Sequence, residues 1–121
     1  MREEADYRDF VNITQEDAEK VLVIEKVKRY LNELNRYGVK IEKAYLYGSY
    51  ARGNYHKDSD IDIVIISRDF QGMRFSDWKR IAPLTENIDV RIEPMPYRPE
   101  DFTDSDPLAV EVMATGEEIK I

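Results

Sequence analysis

Residues 45–66 read Tyr45-Leu46-Tyr47-Gly48-Ser49-Tyr50-Ala51-Arg52-Gly53-Asn54-Tyr55-His56-Lys57-Asp58-Ser59-Asp60-Ile61-Asp62-Ile63-Val64-Ile65-Ile66, and this stretch decides the fold. Together with Ile41 to Ala44 before it, Tyr45 to Tyr47 has the composition of a strand over about 41–47, rich in residues that suit a pleated surface. Gly48-Ser49 breaks that pattern, and the segment through Tyr55 reads as a loop or short helix. From Asp60 to Ile66 an acidic start passes into a β-branched run. That is the pattern of a central strand with one end at a solvent opening.

Working outward, Thr14 with Asp17 resembles a capping box, Asp standing for the usual Glu, and opens a helix over about 14–37. Within it Val23, Val27, Tyr30, Leu31 and Leu34 recur at three- and four-residue spacing, and Gly38 ends it. Downstream, a helix is expected from Ser76 to about Ala82, stopped near Pro83. Ile88 to Glu93 alternates apolar and polar, which predicts a strand over 88–93. Pro94, Pro96 and Pro99 then read as a rigid connector. Ser105 or Asp106 caps a C-terminal helix over about 106–115, carrying Leu108, Val112 and Met113, and Glu117 to Ile121 adds a short strand or frays. Helices alternate with strands, so the fold class is α/β or α+β, a small sheet flanked by helices. With 121 residues and 14.3 kDa the chain is expected to form a single domain, residues 1–121.

Composition narrows the partners. A formal charge of −7 and a pI near 4.8 argue against autonomous binding to nucleic acid, which needs a basic surface to displace counterions. The absence of Cys removes disulfides, thiolate nucleophiles and Cys-based zinc sites. No apolar run approaches the ~20 residues of a membrane span, and Met1-Arg2-Glu3-Glu4 opens no signal peptide, so a cytoplasmic protein is expected.

The chemistry lies in two motifs. Asp60 and Asp62, two apart on one strand, point to the same face with Cα atoms about 6.6 Å apart, a spacing from which both carboxylates can reach divalent ions. Gly48-Ser49, directly after a strand, offers backbone N–H groups and a hydroxyl where phosphate could be cradled. Either motif alone reads as an ordinary strand end or turn. Separated by ten residues, they place a phosphate-gripping turn at the end of one strand and paired carboxylates at the start of the next. Asp89, in the alternating 88–93 segment, is the candidate third carboxylate. Its other reading is an outward polar residue among Ile88, Val90 and Ile92.

Gly48-Ser49-Tyr50-Ala51-Arg52-Gly53 followed by Ser59-Asp60-Ile61-Asp62-Ile63-Val64 resembles the nucleotidyltransferase superfamily that includes DNA polymerase beta. In length the chain is most similar to its minimal nucleotidyltransferases, the antitoxin halves of gene pairs whose toxin is a helical HEPN-type protein. The resemblance implies a mixed sheet with helices packed against it. It implies Ser49 with the Gly48 turn on the phosphates of ATP, Asp60 and Asp62 on two Mg²⁺ ions, and Asp89 as the carboxylate that helps activate an acceptor hydroxyl. The implied activity is transfer of a nucleoside monophosphate, AMP from ATP, to a hydroxyl of a partner protein. A binding module that masks its partner without turnover, and a small-molecule nucleotidyltransferase, are the rival readings.

Other features are weaker. Gly48-x4-Gly53 lacks the Lys-Ser/Thr of a P-loop, since Asn54-Tyr55 stand there. Ile63 stands where an EF-hand loop needs Gly, and Asn12-Ile13-Thr14 is a glycosylation sequon without a secretory signal. His56, the only histidine, reads as a solvated loop residue. Arg52 is a candidate phosphate contact or ion-pair partner, and Arg91 approaches the nucleotide or pairs with a carboxylate. Trp78 with Ile81 reads as core packing ahead of a base-stacking platform.

Overall fold

The long amphipathic helix expected from the 3.6-residue periodicity is α1 (Gln15–Arg36) in the structure, a computed structural model that describes residues 15–121, with side chains from residue 18. Thr14, and with it the expected capping box, lies outside the described residues. The chain continues through β1 (Lys43–Tyr47), α2 (Ser49–Arg52), β2 (Ile61–Ile66) and α3 (Arg74–Ile81), the last running into a 3₁₀ turn over Ala82–Thr85. It ends with β3 (Ile92–Tyr97), a 3₁₀ turn at Pro99–Asp101, α4 (Pro107–Thr115) and the two-residue β4 (Glu117–Glu118). The strands form one mixed sheet in the order β3-β2-β1-β4. β1 is antiparallel to β2 and β4, whereas β2 and β3 run parallel, with Asp62 opposite Glu93 and Ile61 opposite Ile92.

Alternation along each strand divides the sheet into two faces. On one, Ala44, Leu46, Ile61, Ile63, Ile65 and Ile92 meet Val23, Val27, Tyr30, Leu31 and Leu34 of α1, the five residues picked out by helical spacing. Tyr30 satisfies its phenol in this core by donating to the Ile81 carbonyl at 2.8 Å. On the other face Val64, Ile66 and Tyr97 meet Val112 of α4, with Leu108, Met95 and Phe102 at the margin. Asp106 caps α4 by accepting from the Leu108 backbone N–H at 3.3 Å. Met113 of that helix is exposed, not buried against the sheet as expected.

Three expectations are corrected. The strand predicted at 88–93 lies at 92–97. Residues 86–91 form turns instead, because the Thr85 carbonyl accepts from the N–H groups of Ile88 and Asp89, and Asp89 bends back to accept from the Arg91 N–H at 2.9 Å. Pro94 and Pro96 are therefore no connector but residues of β3. The carbonyls of Arg91 and Tyr97 accept from the β2-side N–H groups of Ile61 and Ser67, so odd-numbered residues face β2 and positions 92, 94 and 96 face the free edge. Proline, lacking an N–H, fits there. Finally, Ile81 is buried as expected, but Trp78 is 39% exposed and stands on the surface of α3.

Candidate functional site

The carboxylates gather where the sheet's α4-side face runs out towards the ends of β1 and β2. β1 ends at Tyr47, whose register partner is Asp62, and the chain turns sharply at Gly48 with φ +73°, a backbone region open to glycine at little cost. Here glycine answers a second demand. A Cβ at position 48 would lie 2.3 Å from Asp62 Oδ2, so the turn and the carboxylate can lie together only without a side chain. Ser49 opens α2, and Gly53, at φ +86°, closes it by donating its N–H to the Ser49 carbonyl.

A cleft of about 500 Å³ lies over this point, with Tyr47, Asp60, Asp62, Glu93 and Met95 among its lining and Arg74, Phe75 and Trp78 of α3 along its wall. Burial raises the Asp62 carboxyl above its usual range first of all. The charges of Asp60 and Glu93 push it further up, and Arg52 offsets them in part. Glu93, exposed at the strand edge, is raised too, by partial desolvation against the cleft wall and then by Asp60. Burial and the Asp62 charge push the Tyr47 phenol up to about 12, so it stays a hydrogen-bond donor near neutrality. Arg52 lies 3.7 Å from Glu111 of α4, both half-exposed, and is thus paired as well as close to the carboxylates.

Asp89 does not belong to this cluster. It accepts from Arg91 through Nε and Nη2, at 3.1 and 2.9 Å, and from Lys26 of α1 at 2.9 Å, which holds its carboxyl far below the usual range. Arg91 also donates to the Tyr50 hydroxyl and the Lys57 carbonyl, and lies 3.7 Å from Glu19. Asp89 is therefore the centre of a structural ion-pair network on the α1 side. The acidic side chain beside Asp62 is Glu93. It stands four residues after Asp89 in the same alternating run, the one signal that could have found it.

The remaining expected positions are placed plainly. Gly48, Ser49, Asp60 and Asp62 lie around one end of β1 and β2, with Arg52 at the far end of α2. His56 is exposed, its Nδ1 accepting from the Asp58 N–H at 3.3 Å. Of the three tyrosines near the motif, Tyr47 lines the cleft, Tyr45 stacks on Phe102, and Tyr50 is buried on the α1 side.

Among the described residues no three His, Cys, Asp or Glu side chains already stand close enough together to hold a metal ion. The donor set nonetheless fits one. Three carboxylates repelling one another across a shared cleft are hard oxygen ligands whose charge a divalent cation such as Mg²⁺ would relieve.

The family described as nucleotidyltransferase domain matches residues 24–104. Two proteins of Methanocaldococcus jannaschii, each named a putative protein adenylyltransferase, are similar to this chain. One is 49% identical over 41 residues, covering 33% of this chain and 41% of that protein. The other is 26% identical over 81 residues, covering 63% of this chain and 80% of that protein. Among solved structures, a putative nucleotidyltransferase from Sulfolobus solfataricus superimposes with a TM-score of 0.59 at 20% identity, over 72% of this chain and 77% of that one. A toxin-antitoxin structure with AMP-PNP superimposes with a TM-score of 0.56 at 21% identity, over 80% of this chain and 72% of that one. At these identities the superpositions speak to the fold.

Proposed function

The chain belongs to the nucleotidyltransferase domain family, and on that premise we propose that it is a Mg²⁺-dependent adenylyltransferase that moves AMP from ATP to a hydroxyl of a partner protein. The observation that carries the reading is the register of Asp62 with Glu93, beside a Gly48 turn packed against the Asp62 carboxylate. Protein as acceptor is supported by the names of the two Methanocaldococcus relatives. The toxin-antitoxin neighbour with its ATP analogue agrees with the antitoxin role and the HEPN-type toxin partner that the sequence resemblance implies.

In this mechanism the Gly48-Ser49 turn, Arg52 and the Tyr47 phenol hold the phosphates of ATP. Asp60, Asp62 and Glu93 would hold the divalent ions, which when bound neutralise charge on the transferring phosphoryl group and polarise the attacking and leaving oxygens. The acceptor oxygen attacks the α-phosphorus and forms a new P–O bond as the bond to the β-phosphate breaks. Its electron pair departs with pyrophosphate, and the hydroxyl proton passes to a Glu93 carboxylate oxygen and on to water. Glu93 thus takes the role that the sequence suggested for Asp89. Such catalysis rests on positioning and charge neutralisation and needs no covalent nucleophile.

The test is incubation with Mg²⁺ and ATP labelled at the α-phosphate, together with the protein encoded by the adjacent gene. Label moving to that protein, and lost in Asp60→Ala/Asp62→Ala, is the expected result. Tight association without transfer of label would overturn the enzyme reading in favour of a masking module.

A further inference from the structure

The sheet order arranges the cleft linearly. The Gly48-Ser49 turn lies beyond β1, Asp60 and Asp62 belong to β2 and its approach, and Glu93 lies on the outer strand β3. Beyond Glu93, α3 packs along β3 and presents two aromatic rings. Phe75 is 68% exposed, and its ring stacks on that of Trp78 with centroids 6.2 Å apart and planes 19° from parallel. The Lys79 ammonium sits 5.3 Å from the Phe75 centroid. Exposed aromatics of this size are unusual on a surface that gains nothing from them, and here both line the carboxylate cleft.

That cleft does not end at Trp78. A second one, of about 460 Å³, continues past it and shares Trp78, Glu93 and Pro94 with the first, running on to Ala82, Pro83 and the exposed Val90. The two form a groove that begins at the carboxylates, passes the aromatic pair and follows the β3 edge. Strand pairing along that edge is blocked at Pro94 and Pro96, so a segment lying there would be held by its side chains.

Displacement at phosphorus needs the attacking and leaving oxygens roughly in line. With pyrophosphate leaving on the Gly48-Ser49 side, the acceptor enters from the Glu93 side, where Phe75 and Trp78 stand. Resting on the adenylyltransferase reading above, we propose that Phe75 and Trp78 form the acceptor-docking ledge, selecting a polypeptide segment whose hydroxyl residue is flanked by apolar side chains. Three features favour a peptide of this kind over a nucleic acid: the apolar rings, the length of a groove spanning two clefts, and the chain's net charge of −7.

Trp78 is the only tryptophan, so its emission reports directly on the ledge. The full chain is titrated with acetylated nonapeptides bearing a central Tyr, Ser or Thr between Leu and Phe residues, with the same peptides flanked by Glu and Lys, and with Mg²⁺ plus α,β-methylene-ATP alone. The expected result is an emission change with the apolar-flanked peptides and not with the charged ones, over and above any change the nucleotide produces in the shared cleft, and weakened about tenfold in Phe75→Ala. In label transfer, Trp78→Leu should then raise the peptide KM about tenfold while the ATP KM moves by less than about twofold. An ATP KM that rises in Trp78→Leu as far as the peptide KM would place the base on the ledge and overturn the proposal, as would no emission change with any peptide or equal response to both peptide sets. The underlying reading fails separately: Asp60→Ala/Asp62→Ala should lose transfer but keep the Trp78 response, and transfer that survives in that variant would sink the adenylyltransferase while leaving the ledge.

Discussion

At Asp89 and Glu93, four residues apart, opposite demands are met by chemically similar side chains. Asp89 is nearly buried and bonded to two cations. Its depressed pKa means that its contribution to stability is present above the unfolded value of about 3.9 and drains away as pH falls through the lower folded value. Asp89→Asn should therefore cost about 2 kcal/mol at neutral pH, below the cost of breaking a fully buried pair because Lys26 is partly exposed, and the gap from wild type should shrink below about pH 4. Urea unfolding at pH 7 and pH 3 checks this. Glu93→Gln should do the reverse, leaving the melting temperature close to wild type, since Glu93 is exposed and solvent screens most of its repulsion with Asp60, while label transfer falls by about 100-fold or more. Loss of transfer in folded Asp89→Asn with retention in Glu93→Gln would restore Asp89 to the site. Gly48→Ala belongs to the same scale. Its Cβ would displace the Asp62 carboxylate at a positive φ, so transfer should fall by about 100-fold or more and stability by about 1–2 kcal/mol, measured by label transfer beside urea unfolding. The sequence showed Asp60 and Asp62 because they stand two apart where a strand begins, Asp62 within β2 and Asp60 in the residue just before it. It hid the third carboxylate because Glu93 becomes their neighbour only through parallel pairing of β2 with β3, a contact across 31 positions.

Among the elements, α1 and β2 were legible because each buries what its periodicity displays, a stripe of five apolar residues in one and a β-branched run covered on both faces in the other. β3 was not. The alternation of Ile88 to Glu93 imitates a strand, but Asp89 spends its carboxylate on the Arg91 N–H and turns the chain, whereas Pro94 and Pro96 imitate a connector while lying in the sheet. What decides between these readings is which side of the strand has a partner, and that is a tertiary fact. Both prolines are buried, with their nitrogens on the side away from β2. Restoring an N–H there supplies a donor with no strand to receive it. Pro96→Val should accordingly destabilise by about 1–3 kcal/mol despite valine's higher strand propensity. Stabilisation in chemical denaturation would mean that the edge has an acceptor within reach.

For the whole molecule, the ion pairs and the carboxylate cluster divide the charge between two faces of one sheet. On the α1 side Arg91 ties Asp89, Tyr50, Glu19 and the Lys57 carbonyl together, joining α1, α2, the approach to β2 and the entry to β3 through opposite charges and hydrogen bonds. On the other side Asp60, Asp62 and Glu93 stand together with Arg52 as a partial counterweight, and Arg52 is shared with Glu111. The cations on the α1 side are thus paired, whereas in the cleft three carboxylates stand against two arginines, Arg52 and Arg74. A ligand that binds this cluster in the folded state alone, its metal ions bridging the carboxylates to an anionic nucleotide, must then stabilise the whole chain by mass action. At a tenfold excess over its dissociation constant, Mg²⁺ with α,β-methylene-ATP should add about 1.4 kcal/mol, or ~5 °C in melting temperature for a domain of this size. Asp60→Ala/Asp62→Ala should begin with a melting temperature at or above wild type, because repulsion has been removed, and should gain nothing from the ligand. Asp89→Asn should begin lower and gain the full increment, since its defect lies on the opposite face. An Asp89→Asn protein that failed to respond would show that the two faces are coupled through β2 and β3, so that the network behind the sheet sets the affinity of the cleft in front of it.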